Sequence, residues 1–329
     1  MRTTLLCRTV EQVERLASEH RNERYLPGVE LPRELRVRAL EAQEDHLARA
    51  DLVFLAVPSK GLREALERLR GLGVSETAGL VSLAKGLVSP DGAAPTAALE
   101  AAFGAERVAC VGGPAHAREM VETGAGLVCG SRSEALAHRV AEAFQRSGVV
   151  CEVSDDPVGV ELAGVAKNVA AVAVGATQAQ GLNAAGMAAA DIFLEVLALA
   201  QASGGQARTF VGRAGTGDLV ATALAPTSRN RTAGELLAEG VPAAEIPARI
   251  GQAVEALETV RLLAHAIERR QLEAPVVSAL AHLIEGSMPL DDWVAMVRAK
   301  QPPPARFGGP STWWTRLRGW LRRLFRRGE

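Results

Sequence analysis

Residues 52–83 read LVFLAVPSKGLREALERLRGLGVSETAGLVSL. An apolar run at 52–57 stops at Pro58-Ser59-Lys60, residues 61–69 then place apolar side chains at helical spacing, and a second apolar run follows at 79–83. Strand, helix, strand is the unit of a parallel sheet covered by helices on both faces. The pattern recurs on either side. Further candidate strands lie at 4–7, 35–38, 108–111, 126–129 and 149–153, with amphipathic helices at 10–18, 95–103 and 133–145. The expected fold is therefore α/β, a doubly wound Rossmann-type sheet, which binds ligands beyond the carboxyl ends of its strands. Three segments in that position stand out: Pro58-Ser59-Lys60, Ala84-Lys85-Gly86 and Gly112-Gly113-Pro114-Ala115-His116-Ala117.

After Asp155 the alternation stops. An Ala-rich stretch from about residue 159 to 202 and no further strand-like runs predict an all-α second domain, so the chain divides into 1–154, 155–300 and 301–329. The last part opens on a stiff Pro-rich linker at 301–310. With 329 residues, 48% hydrophobic and 23% charged, the chain can bury a substantial core, which excludes disorder, collagen and a disulfide scaffold. The net charge of −1 argues against a general nucleic-acid binder, but it is unevenly spread. From residue 305 onward seven arginines and one acid give net +6, leaving −7 on the preceding 304 residues. Cys7, Cys110, Cys129 and Cys151 are far apart with no C-x-x-C, which suits reduced thiols and offers no metal site. No secretory segment or uninterrupted run of 18 apolar residues is present, so the expected location is cytoplasmic.

The segment Val160-Glu161-Leu162-Ala163-Gly164-Val165-Ala166-Lys167-Asn168-Val169 sets a lysine in an apolar helix. A buried ammonium is either paired or has a lowered pKa, the condition for a proton-transfer lysine. Downstream lie a glycine-rich turn ending in an acid, Gly212-Arg213-Ala214-Gly215-Thr216-Gly217-Asp218-Leu219, and Thr227-Ser228-Arg229-Asn230-Arg231, suited to a phosphate or carboxylate. In the order and spacing of these segments, with Arg24-Tyr25-Leu26-Pro27-Gly28, Ala56-Val57-Pro58-Ser59, Lys85-Gly86 and Gly113-Pro114, the chain resembles the bacterial NAD(P)-dependent glycerol-3-phosphate dehydrogenases from about residue 4 to about residue 297.

That resemblance implies hydride transfer between NAD or NADP and dihydroxyacetone phosphate, giving sn-glycerol 3-phosphate for phospholipid backbones. It implies that Lys167 is the catalytic lysine and Asp218 the acid that holds it, with Thr222 one helical turn on. It assigns Lys85, Gly113, Asn168, Thr222, Ser228, Arg229 and Asn230 to substrate, and Arg8, Lys85, Ala117, Arg229 and Glu255 to the cofactor. A homodimer is expected from it and from the Ala/Gly-rich helix. The bland readings are a snorkelling lysine at 167, a helix cap at Asp218, a charged surface turn at 228–231 and an ordinary strand-end lysine at 85. His116 reads as exposed and non-catalytic. Arg8 suits a 2′-phosphate or is a solvated surface arginine.

The chain departs from the family at its beginning. The opening strand and G-x-G-x-x-G of a Rossmann domain are not among these residues, and 4–7 reads as the second strand. The expectation is that Met1 is a misassigned start and that roughly 25–30 residues carrying the glycine loop lie upstream, since the absent strand is central in the 3-2-1-4-5-6 order. Ala115 stands where the family has Ser or Asn, and Asn183-Ala184-Ala185-Gly186-Met187-Ala188-Ala189-Ala190-Asp191 lacks its usual lysine and arginine. Two alternatives follow. One is a related reductase of another 2-oxo or 2-hydroxy compound; the other is a non-catalytic, membrane-tethered paralogue without its cofactor loop.

In residues 312–327, Trp313, Leu317, Trp320, Leu321 and Leu324 share one helical face, with arginines largely on the remainder. The pattern suits an interfacial helix in an anionic headgroup layer, placing the protein peripherally at the inner face of the cell membrane. A disordered basic tail, or a helix docked on the acidic body, would read the same way.

Overall fold

The apolar runs of the first half form the strands of three sheets in the computed structural model, which describes residues 1–41, 44–225 and 228–299. In chain order the elements begin β1 (Thr4–Cys7), α1 (Val10–Glu19), β2 (Arg21–Asn22), β3 (Leu26–Glu30), β4 (Arg36–Ala39) and α2 (Glu44–Leu47). Next come β5 (Leu52–Leu55), α3 (Leu62–Gly71), β6 (Gly79–Ser82), α4 (Pro95–Phe103), β7 (Val108–Gly112), α5 (Ala117–Thr123), β8 (Gly126–Ser131), α6 (Glu134–Gln145) and β9 (Val150–Ser154). The rest is helical: α7 (Pro157–Thr177), α8 (Leu182–Ala202), α9 (Ala207–Val211), α10 (Asp218–Leu224), α11 (Arg229–Ala238), α12 (Ile246–Ile250), α13 (Glu255–Arg269), α14 (Pro275–Glu285) and α15 (Leu290–Ala299). The architecture is α/β followed by all-α, as expected. The amphipathic tail at 312–327 lies outside the described residues.

The main sheet has the order β5-β6-β7-β8-β9. It is parallel except for β7 and β8, which pair antiparallel with Gly112 opposite Val128. This corrects the wholly parallel reading: β7 ends and β8 begins at the same end of the sheet, so residues 113–125 return the chain without a crossover. β1 and β4 form a separate parallel pair, and β2 with β3 a small hairpin that period-2 patterning did not reveal. Among the described strands β1 bonds only to β4, and β5 only to β6, so each keeps one edge without a strand partner. Leu6 of β1 nevertheless packs into the cluster of Leu47, Leu55, Leu62, Leu66 and Leu80, alongside Val53. The β1 and β4 pair otherwise packs on α1 in a small cluster of its own, Cys7, Leu16 and Val37.

α7 is the axis of the helical part. Asp156 caps it, accepting from Gly159 N at 2.8 Å, and Pro157 occupies the first turn, where its missing N–H costs nothing. Every residue of α7 except Val158 and Val174 is buried, which explains its apolar sequence. The Ala-rich stretch is not one helix. Gly181, at φ +109°, breaks it, because an L side chain rarely adopts that backbone conformation. Residues Pro157–Gln180 and Leu182–Ala202 are both long and apolar enough to cross a membrane, although neither is an uninterrupted apolar run. The apolar window of the first is 89% buried by the protein's own elements, so it is a core helix; that of the second is 44% buried.

α7 and α11 cross at unusually close range. A Cβ on Gly175 would stand 2.0 Å from the Arg231 carbonyl oxygen, and one on Gly234 2.0 Å from that of Val172. Two glycines let the backbones touch, and the contact brings the start of α11 to the middle of α7.

Candidate active site

Two distant chain segments converge on the carboxylate of Asp218, the first residue of α10 and 1% exposed. Lys85, from the segment between β6 and α4, donates through Nζ to Oδ2 at 2.7 Å and to the Gly113 carbonyl at 2.9 Å. Lys167, from α7, places Nζ 3.3 Å from Oδ1 and donates to Thr222 Oγ1 at 3.0 Å. Thr222 lies one turn after Asp218, so the lysine meets a carboxylate and a hydroxyl from the same helical face. Asp218 is not the helix cap of the bland reading; Gly217 holds that position, at the end of a widened helical turn over Arg213–Gly217.

Two ammonium groups on one buried carboxylate leave the cluster cationic. The Lys167 amine is pushed down to about 8, chiefly by burial and then by the neighbouring positive charge of Lys85; Asp218 opposes both, and Arg229 adds a further downward push. An amine that titrates there exchanges a proton near neutral pH.

The second ring ties α11 to this cluster. Asn168 donates through Nδ2 to the Lys85 carbonyl at 2.8 Å and accepts from Asn230 Nδ2 at 2.9 Å. Ser228 caps α11, its hydroxyl accepting from Arg231 N at 3.4 Å. Arg229 is exposed and donates to Gln252 Oε1 at 3.1 Å and the Ala253 carbonyl at 3.4 Å. Gln252 was not anticipated, because the loop before α13 carries no pattern. Gly113 at φ +104° has no room for a side chain, since a Cβ would meet the Gly126 carbonyl at 2.6 Å.

Of the residues assigned to cofactor, Lys85 and Arg229 belong to this cluster and its second ring, and Arg8, Ala117 and Glu255 fall elsewhere. Glu255 opens α13 and accepts from Ser59 N at 2.9 Å, an anion already seated at the short helical turn after β5. Arg8 is exposed just after β1, and Ala117 is the exposed first residue of α5. A dinucleotide needs backbone amides at a helix N-terminus for its pyrophosphate. Among the described residues, the Ser59 amide is taken by Glu255 and the turn after β1 is closed by Thr9, whose hydroxyl accepts from Gln12 N at 3.2 Å. No group of three or more metal-ligating side chains occurs among the described residues.

Residues 1–137 match the family model for the N-terminus of NAD-dependent glycerol-3-phosphate dehydrogenase, and residues 156–295 match the model for its C-terminus. The chain belongs to this family. It is 39% identical over 280 residues to a glycerol-3-phosphate dehydrogenase [NAD(P)+] of Deinococcus radiodurans, covering 83% of this chain and 80% of the relative. The corresponding protein of Methylibium petroleiphilum is 35% identical over 292 residues, covering 87% and 86%. The crystal structure of the glycerol-3-phosphate dehydrogenase of Coxiella burnetii superposes with a TM-score of 0.82 at 25% identity, covering 90% of this chain and 91% of that one. In this member of the glycerol-3-phosphate dehydrogenase family, Lys85, Lys167, Asn168, Asp218, Thr222 and Asn230 form one connected polar cluster.

Proposed function

We propose that this protein interconverts dihydroxyacetone phosphate and sn-glycerol 3-phosphate as an NAD(P)-linked dehydrogenase. The observation that carries the reading is the pairing of Lys167, its amine lowered to about 8, with a buried carboxylate shared by a second lysine. In the reductive direction Lys167 donates a proton to the oxygen formed at the substrate carbon; in the oxidative direction the neutral amine removes it. Asp218 and Thr222 aim the amine, and Lys85 supplies a second positive charge that favours an anionic substrate. Arg229, Asn230 and Ser228 at the start of α11 hold the phosphate, where the guanidinium fork and the helix N-terminus both favour an anion. Arg8, Ala117 and Glu255 face the cofactor in this reading.

The organisation into residues 1–154, 155–300 and 301–329, the pairing of two copies, and contact of residues 312–327 with an anionic lipid surface at the cell membrane belong to the same proposal. They are supported by sequence pattern. The test of the activity is oxidation of NADH or NADPH by the native protein with dihydroxyacetone phosphate and, separately, with unphosphorylated dihydroxyacetone. Turnover of the phosphate alone is expected. Equal turnover of both would remove the phosphate role from Arg229 and favour a related 2-oxo reductase; turnover of neither would favour a non-catalytic paralogue.

A further inference from the structure

Lys85 belongs to no strand or helix, yet its Nζ must sit within hydrogen-bonding distance of Asp218 for the cluster to exist. The segment that carries it, residues 84–96, meets α7 near its two ends, while between them Val88 pairs with Ala93, Arg63 donates to the Ser89 carbonyl and Arg269 to that of Asp91. Asn168 donates to the Lys85 carbonyl at 2.8 Å. Gly164, one turn earlier, lies beneath the Lys85 stem, whose Cγ stands 3.6 Å from the position of a Cβ there, an ordinary packing distance. Glu161, one further turn back, receives the other end of the segment: its carboxyl group accepts from Thr96 N at 2.9 and 3.2 Å and from Thr96 Oγ1 at 2.5 Å. Residues 161, 164 and 168 are spaced i, i+3, i+7 and so share a helical face.

We propose that Glu161 is a positioning residue which, by gripping Thr96, registers the Lys85 segment on α7 and thereby sets the spacing of Lys85, Asp218 and Lys167. The inference rests on the proposed function for its activity readout only. Glu161 is 4% exposed, and no cation among the described residues pairs with it. Glu100 and Cys110 are the titratable groups that face it, and Lys167, six residues on, points to α10 instead. A buried carboxyl group spent on two donors of one threonine is costly unless holding that threonine matters.

The experiment compares Glu161→Leu, Glu161→Gln and Thr96→Val in the native protein, reading the titration of Lys167 from the pH dependence of its acetylation by mass spectrometry, alongside turnover of dihydroxyacetone phosphate. Release of Lys85 from Asp218 removes a repelling charge from Lys167 and frees the carboxylate to pair with it, so both changes raise its pKa. Glu161→Leu is expected to move the Lys167 titration upward by about half a unit or more and to lower kcat about 10–100-fold. Glu161→Gln keeps an acceptor for the Thr96 amide, and its NH2 can donate to the Thr96 hydroxyl, which then accepts; it is expected to restore both. A folded Glu161→Leu protein with an unshifted titration and unchanged kcat would overturn the proposal, whatever its melting temperature. Should that variant not fold, Thr96→Val decides by the same titration: an upward shift supports the proposal and none overturns it. A shifted titration in a protein whose wild type reduces no triose phosphate would sink the functional reading and leave the positioning role standing.

Discussion

Asn230 donates through Nδ2 to Oδ1 of Asn168 at 2.9 Å, joining the start of α11 to the helix that carries Lys167. Because Asn168 in turn donates to the Lys85 carbonyl, one amide links the phosphate end of the proposed site to its proton-transfer end. Asn168→Ala and Asn230→Ala are expected to be non-additive. A double-mutant cycle on urea midpoints should give a coupling of about 0.5–3 kcal/mol, and KM for dihydroxyacetone phosphate should rise in both single variants.

The Lys167 amine titrates at about 8, and it must carry a proton to act as an acid and lack one to act as a base. Reduction should therefore fall as pH rises through about 8, while oxidation of glycerol 3-phosphate should rise through the same value. Profiles of kcat in both directions check this. Lys167→Met should cost about 10²–10⁴-fold in kcat, or about 3–5 kcal/mol of barrier, with substrate binding less affected.

Asp218 is the single carboxylate between two lysines, and Asp218→Asn leaves both ammonium groups without it. Breaking a buried pair from one side costs about 3–5 kcal/mol, and the unpaired Lys167 should titrate lower still. The expected result is a lower urea midpoint together with a downward shift of the limb assigned to Lys167. A variant as stable as the wild type with an unmoved limb would contradict the pairing.

Burial raises the Glu161 carboxyl from 4.5 to about 8, against the opposing hydrogen bonds of Thr96. The folded protein then holds a proton that the unfolded chain releases above 4.5, so this group's contribution to stability declines as pH rises from 4.5 to about 8. Glu161→Gln cannot ionise and lacks that decline. Its unfolding midpoint should gain on the wild type between about pH 5 and about pH 8, which chemical denaturation at the two pH values measures.

Gly234→Ala tests the close crossing of α7 and α11, since its Cβ would fall 2.0 Å from the Val172 carbonyl oxygen. The helices must part to admit it. The expected cost is about 1–3 kcal/mol or more of stability and a rise in KM, because α11 carries Arg229 and Asn230.

Much of the fold was legible because its signals are local. Apolar runs marked every strand of the main sheet, and Pro95–Phe103 was read to its ends from helical spacing. The hairpin of β2 and β3 was not, because its strands are short, mostly exposed and carry no alternation. The reversal of β8 was also hidden, since a strand's apolar content does not depend on the direction in which it runs.

The site divides in the same way. Lys167, an ammonium in an apolar helix, and Asp218, an acid closing a glycine turn, announced themselves by sequence because burying a charge among apolar neighbours is costly and therefore conspicuous. The role of Glu161, the hold of Gln252 on Arg229, and the capture of Lys85 by Asp218 needed the tertiary structure. Those contacts span 65, 23 and 133 residues of chain, and local pattern carries no information about which distant backbone will arrive at a given side chain. Only the packing of α7 against α10, α11 and the 84–96 segment decides that.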